Sequence, residues 1–150
     1  MELFKNKNFL FTLIVLNSIG IALAFFTYFK AIEYYITIHK IYLIPFVVVS
    51  LWLYVFSLLL SWLVYKDKKI PEFIGILAFA FMFVYGLGSV IFYPFFMIFV
   101  NGFSFYHFWN IFAHAYVAFQ ALIFLRYIEI KKFYSFIPVV FLFLIKDYLD

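Results

Sequence analysis

The chain has 150 residues, of which 69% are hydrophobic and 28% aromatic, while only 12% are charged and the net charge is +4. A soluble domain carries roughly a quarter charged residues and hides its apolar ones in one core. The present composition leaves too little polar surface for that, which excludes a soluble enzyme, a free nucleic-acid binder and a disordered chain. With no cysteine, disulfides, thiolate-held clusters, thiol nucleophiles and cysteine zinc sites are excluded too.

The charges fall in short clusters, and the runs between them approach or exceed the roughly 20 apolar residues that cross a hydrocarbon layer. The expected fold is all-α, one transmembrane domain over residues 1–150, a polytopic helix bundle of five spans. The first span runs from Phe9 to Phe29, between Lys5 and Lys7 on one side and Lys30 and Glu33 on the other. Asn17, Ser18 and Gly20 interrupt the apolar run that a cleaved signal would need before Ala22-Leu23-Ala24, so this segment is expected to remain as a helix. The second runs from Ile41 to Tyr65 with Pro45 in its first turns, and ends at the charged turn Lys66-Asp67-Lys68-Lys69. Pro71 and Glu72 open the third, Phe73 to Tyr93, which Pro94 should break or kink. The fourth is Phe103 to Leu125, closed by Arg126, and the fifth runs from Phe133 towards Tyr148. That last run is short, and must sit in thinned lipid or use Lys146 and Asp147 at the far headgroups.

Eight of the eleven Lys and Arg residues fall on the side of the amino terminus and three on the other. The positive-inside rule then predicts a multi-pass protein of the cell membrane with a cytoplasmic amino terminus and, after five crossings, a carboxyl terminus outside. The lipid bilayer is therefore the first expected partner, and nucleic acid is not one.

In lipid, apolar side chains do not tell which side of a helix is buried, so small and polar residues carry that information. They form stripes: Asn17, Gly20, Ala24 and Tyr28 on the first span; Ser50, Tyr54, Ser57 and Ser61 on the second; Gly75, Ala78, Met82, Tyr85 and Ser89 on the third; His107, Asn110, His114, Ala118 and Ala121 on the fourth. Phe105, Trp109, Phe112, Tyr116, Phe119 and Ile123 face the other way and are expected in lipid. Four stripes predict a four-helix core with the short fifth helix outside it. Because Asn17 and His114 each lie near the middle of their span, the first and fourth helices should touch there and the two side chains should share a hydrogen bond.

The chemistry available is narrow. His107 and His114 stand roughly 10 Å apart along one helix, too far to share a metal, and no span interior contains Asp or Glu. We expect no metal and no cofactor. A ligand site, if the bundle has one, would use His107, Asn110, His114, Asn17 and Tyr85, with Asp147 meeting His107 at the outer mouth. Gly86 and Gly88 could expose backbone to an ion, or could simply let helices approach.

Asn17, Gly20 and Tyr28 in the first helix, Tyr85-Gly86 in the third, His114 in the fourth and the terminal Lys146-Asp147-Tyr148-Leu149-Asp150 together resemble an uncharacterised family of small bacterial and archaeal membrane proteins, domain of unknown function DUF 1405. Gln120 stands where that resemblance would place a glutamate after the histidine. The family implies a small polytopic protein with a histidine in a late helix and no assigned activity. The preferred sequence reading is a non-enzymatic membrane subunit or accessory protein, serving a membrane partner subunit. The alternative is a protein that binds, or acts on, a lipid or other lipophilic small molecule at an intramembrane histidine site.

Overall fold

The computed structural model describes residues 6–131 and 136–149, without the side chains of residues 46, 47, 143 and 146–149. Asn6 starts the first helix, α1 (Lys7–Thr37): its side-chain oxygen accepts the N–H groups of Asn8 and Phe9, donors that a helix start leaves without a backbone partner. The helix continues two turns past Phe29, because Lys30 and Glu33 lie on exposed positions and need not end it. It stops at His39, whose φ of 56° is left-handed; there the His39 N–H returns to the Ile36 carbonyl and the Lys40 N–H to that of Tyr35.

A 3-10 turn (Ile41–Leu43) and one helical turn (Ile44–Val47) lead to a break at Val48, and the second long helix, α2, begins only at Val49 and ends at Tyr65. The span expected to start at Ile41 is thus interrupted. The Pro45 carbonyl accepts the Trp52 indole N–H at 2.8 Å, an acceptor position that the Val49 N–H would hold in an unbroken helix. Asp67 ends the turn after α2 in a left-handed conformation (φ 53°), its N–H bonded to the Val64 carbonyl and that of Lys68 to Leu63.

Pro71 caps the third helix, α3 (Glu72–Asn101), as expected. Pro94 does not break it: the proline lies inside the helix, which runs on to Asn101 and contains two π segments, Phe81–Tyr85 and Met97–Asn101. A lost donor is tolerated in an apolar helix where such local adjustments re-satisfy the backbone. The fourth helix, α4 (Phe105–Tyr127), tightens to 3-10 geometry in its last turn, and a thirteen-residue helix, α5 (Ile137–Leu149), completes the fold. Among the described residues there is no strand. Three helices, α1, α3 and α4, are long and apolar enough to cross a membrane; α2, with 17 residues, is shorter. The expected start of the fifth span at Phe133 lies outside the described residues.

Packing follows the small and polar stripes. The main pairs are α1 along α2 and α3 along α4, with α2 also against α3 and α4, and α5 on the flank of α3. Asn17, Gly20 and Ala24, Ser57 and Ser61, Gly75, Ala78 and Met82, and His114, Ala118 and Ala121 are all buried, whereas Phe105, Trp109, Phe112 and Phe119 are exposed. Two residues of the expected outer face of α4 depart from this: Tyr116 is half-buried and Ile123 buried. The inner part of α4 is enclosed around most of its circumference, since Val117, Gln120 and Phe124 are buried there as well. At Gly86 an added β-carbon would lie 3.0 Å from both the Ala118 β-carbon and the His114 carbonyl, so this glycine serves the close approach of α3 to α4; Gly88 faces open space.

Candidate functional site

Two polar levels cross the helix interface, eleven residues apart on both α1 and α2. Eleven residues make just over three helical turns, so Asn17 and Tyr28 share a face of α1 while Ser61 and Ser50 share a face of α2, and the two antiparallel helices meet at both levels.

The level nearer the amino terminus of α1, called inner below, is a closed amide pair. Asn17 Nδ2 donates to Gln120 Oε1 at 2.9 Å, Gln120 Nε2 donates back to Asn17 Oδ1 at 3.1 Å, and the Asn17 amide also reaches Ser61 Oγ at 3.4 Å. Ser61 donates to the Ser57 carbonyl. Both amides have no exposed surface. This corrects the expected Asn17–His114 bond. Asn17 lies ten residues above Lys7, whose ammonium meets the Tyr65 carbonyl and Asp67 at the inner end. With α1 extending to Thr37, Asn17 sits well below the helix centre and faces Gln120, not the histidine one level higher.

The outer level is a hydrogen-bonded chain. His114 Nδ1 lies 2.9 Å from the Asn110 carbonyl, which only accepts. In the neutral imidazole Nδ1 therefore carries the proton, and Nε2 accepts from the Ser50 hydroxyl at 3.3 Å. The Tyr28 hydroxyl donates to Ser50 Oγ at 3.2 Å. Ser50 lies in the first turn of α2, just after the break at Val48.

Above the amide pair, α1 and α4 diverge and leave a cleft of about 340 Å³. Ala24 and Tyr28 from α1, Ser50 and Tyr54 from α2, Tyr93 from α3, and Tyr106, Trp109, Asn110, Ala113 and His114 from α4 line it. Among the described residues no charged one does. Phe26, Tyr106 and Trp109 also line it and are strongly exposed, which places its mouth on the flank between α1 and α4. The arrangement offers neutral donors and acceptors on an aromatic wall, and it holds one hydroxyl, that of Ser50, against an imidazole acceptor, the pairing that nucleophilic catalysis uses.

Of the residues singled out from sequence, His114 and Asn110 line this cleft; the Asn110 amide donates to the Tyr106 carbonyl. His107 turns to protein but not to the cleft: its ring packs among Tyr93, Phe96 and Tyr106, with the Tyr93 ring lying between it and His114. Tyr85 packs on Phe81 in the first π segment of α3, away from the cleft. Asn17 belongs to the inner level. The side chain of Asp147 lies outside the described residues. Among the described residues no group of three or more His, Cys, Asp or Glu could hold a metal ion. Gln120 was missed because it lies about 120° round the helix from His114, off the apparent stripe; its signal was simply an amide within an apolar span.

No family model, curated protein or solved structure matches this chain.

Proposed function

We propose that the chain is a multi-pass membrane protein that takes a small, uncharged, lipophilic molecule from the bilayer into the outer cleft and holds it by hydrogen bonds. The observation that carries this reading is the cleft itself: Tyr28, Ser50 and His114 converge on about 340 Å³, within the range of roughly 300–1,000 Å³ typical of small-molecule sites. A charged ligand would need a counter-charge in so apolar a place, and the lining offers none. The exposed flank between α1 and α4 suits entry from lipid. The reading preferred on sequence, a purely structural subunit, draws support from the Asn17–Gln120 pair, which is satisfied wholly within the protein; a structural role at that level is compatible with a ligand one level above. The resemblance to the DUF 1405 family belongs to this reading and lends it no activity.

The test is native mass spectrometry of the gently solubilised protein. A bound small molecule should accompany the wild type and be lost from Ala113→Phe, which fills the cleft, and weakened in Ser50→Ala, with both variants still folded. A wild type that carries nothing, or an Ala113→Phe variant that retains the molecule, would count against the cleft.

The proposed topology keeps the amino terminus cytoplasmic and the carboxyl terminus outside. Since α5 is only about 20 Å long, its crossing relies on the residues flanking it. The natural absence of cysteine makes single-cysteine labelling clean: in intact cells an impermeant maleimide should spare Lys68→Cys and label Asp150→Cys. Protection of Asp150→Cys would mean four crossings.

A further inference from the structure

The inner end of the molecule holds a second and larger cavity, of about 450 Å³. Its floor is apolar, Leu10 of α1 and Val64 of α2, both buried, and its rim carries Lys68, Lys69 and Arg126. Two carboxylates share the rim, but each has a cation of its own: Asp67 meets Lys7, and Glu129 meets Lys131 at 3.7 Å. Lys68 and Lys69 have no carboxylate within ion-pair distance among the described residues. The rim therefore keeps a positive excess over a greasy floor.

This rim is held in place. The left-handed Asp67 and the two backbone bonds that close the end of α2 turn the chain sharply, and Ile70, buried just beyond, pins the far side of the lysine pair. Depth is marked independently. Half-exposed Trp62 stacks on Tyr65, and the Lys66 ammonium lies 4.8 Å from the Trp62 ring centroid, the arrangement of an interfacial aromatic belt. Leu10 and Val64 begin the apolar stretch below it. A cavity of this kind lies at the level of lipid phosphates.

We infer that this inner cavity binds the phosphate of an anionic glycerophospholipid, with Lys68, Lys69 and Arg126 around the phosphate and Leu10 and Val64 against the glycerol and first methylenes. Each lysine brings a compact point charge on a flexible stem to the phosphate, and Arg126 adds its charge to the same rim. The site is separate from the outer cleft and requires only that the helices span a bilayer with this end at a headgroup layer.

The experiment titrates the full-length protein in neutral detergent with phosphatidylglycerol or phosphatidylcholine and counts bound lipid by native mass spectrometry. One phosphatidylglycerol should be retained in preference to phosphatidylcholine. Lys68→Gln/Lys69→Gln should weaken its retention roughly thirtyfold, since each lysine near the surface is worth a factor of about five. Lys68→Arg/Lys69→Arg should keep it, and Lys30→Gln/Lys40→Gln, at the opposite end, should leave it unchanged. Equal retention of the two lipids, or a Lys68→Gln/Lys69→Gln variant that folds and binds like wild type, would overturn the assignment. So would thermal protection by inorganic phosphate alone that equals the lipid's, because the source would then be soluble. The cleft-filled Ala113→Phe variant should still bind phosphatidylglycerol, so failure of the outer site and failure of this one are read separately.

Discussion

Replacing Asn17 by leucine lowers stability by about 2–3 kcal/mol, the effect of leaving a buried amide without its partner. The orphan is Gln120, which has no exposed surface and whose amide is bonded at both ends to Asn17. Leucine has the branching and the number of side-chain heavy atoms of asparagine, so its added bulk is the smaller term and the polar one dominates. Gln120→Leu should be similarly harmful for the mirrored reason, with Asn17 retaining only its long contact to Ser61. The double variant Asn17→Leu/Gln120→Leu should recover to within about 1 kcal/mol of wild type, because removing both partners of a buried bond is nearly neutral. The measurement is equilibrium unfolding in mixed micelles, followed by the fluorescence of Trp52, Trp62 and Trp109. A double variant as unstable as the two single losses combined would mean that the amides do not act as a pair.

The same two residues mark how far the sequence could be read. The all-helical class, the inward turn of Gly20, Ala24, Ser57, Ser61, Ala118 and Ala121, and the presence of a polar interior beside His114 were legible, because in an apolar chain each small or polar residue stands out. Partnership was not. It depends on relative depth: a helix ending at Phe29 would centre near Asn17, whereas α1 runs on to Thr37, past Lys30 and Glu33 on its exposed face. Pro94 misled for a related reason, since a proline's missing donor can be absorbed inside a long helix that contains π segments. The break at Val48 goes with a side-chain bond, Trp52 to the Pro45 carbonyl seven residues back, that no hydropathy pattern announces. The outer cleft was hidden as well. It arises where α1 and α4 part, and a gap between helices leaves no mark in either helix's sequence, although Tyr28, Ser50 and Tyr54 were already placed on inward faces.

Gly20→Ala should reduce stability by about 1–3 kcal/mol, the usual penalty for one methyl too many in a packed interface, and should empty the outer cleft at the same time. A β-carbon at position 20 would overlap the Tyr54 ring, which packs flat over the glycine where α1 meets α2. The α2 backbone is held on both sides of that ring, by Ser50 at the outer level and by Ser61 at the inner one, so the ring is the part that yields. Its open side is the cleft, which it already lines. Swinging there, it takes the space a ligand would occupy. Gly20→Ala/Tyr54→Leu supplies the decisive comparison: the smaller side chain makes room for the new methyl, so both stability and ligand retention should return towards wild type, whereas Tyr54→Leu alone should leave a roomier cleft and a modestly weakened interface. Thermal unfolding and native mass spectrometry on the four proteins read the two effects independently. Should Gly20→Ala lose stability but keep its bound molecule, either the ring has swung away from the cleft or the molecule binds elsewhere, and its loss or retention in Ala113→Phe decides between the two.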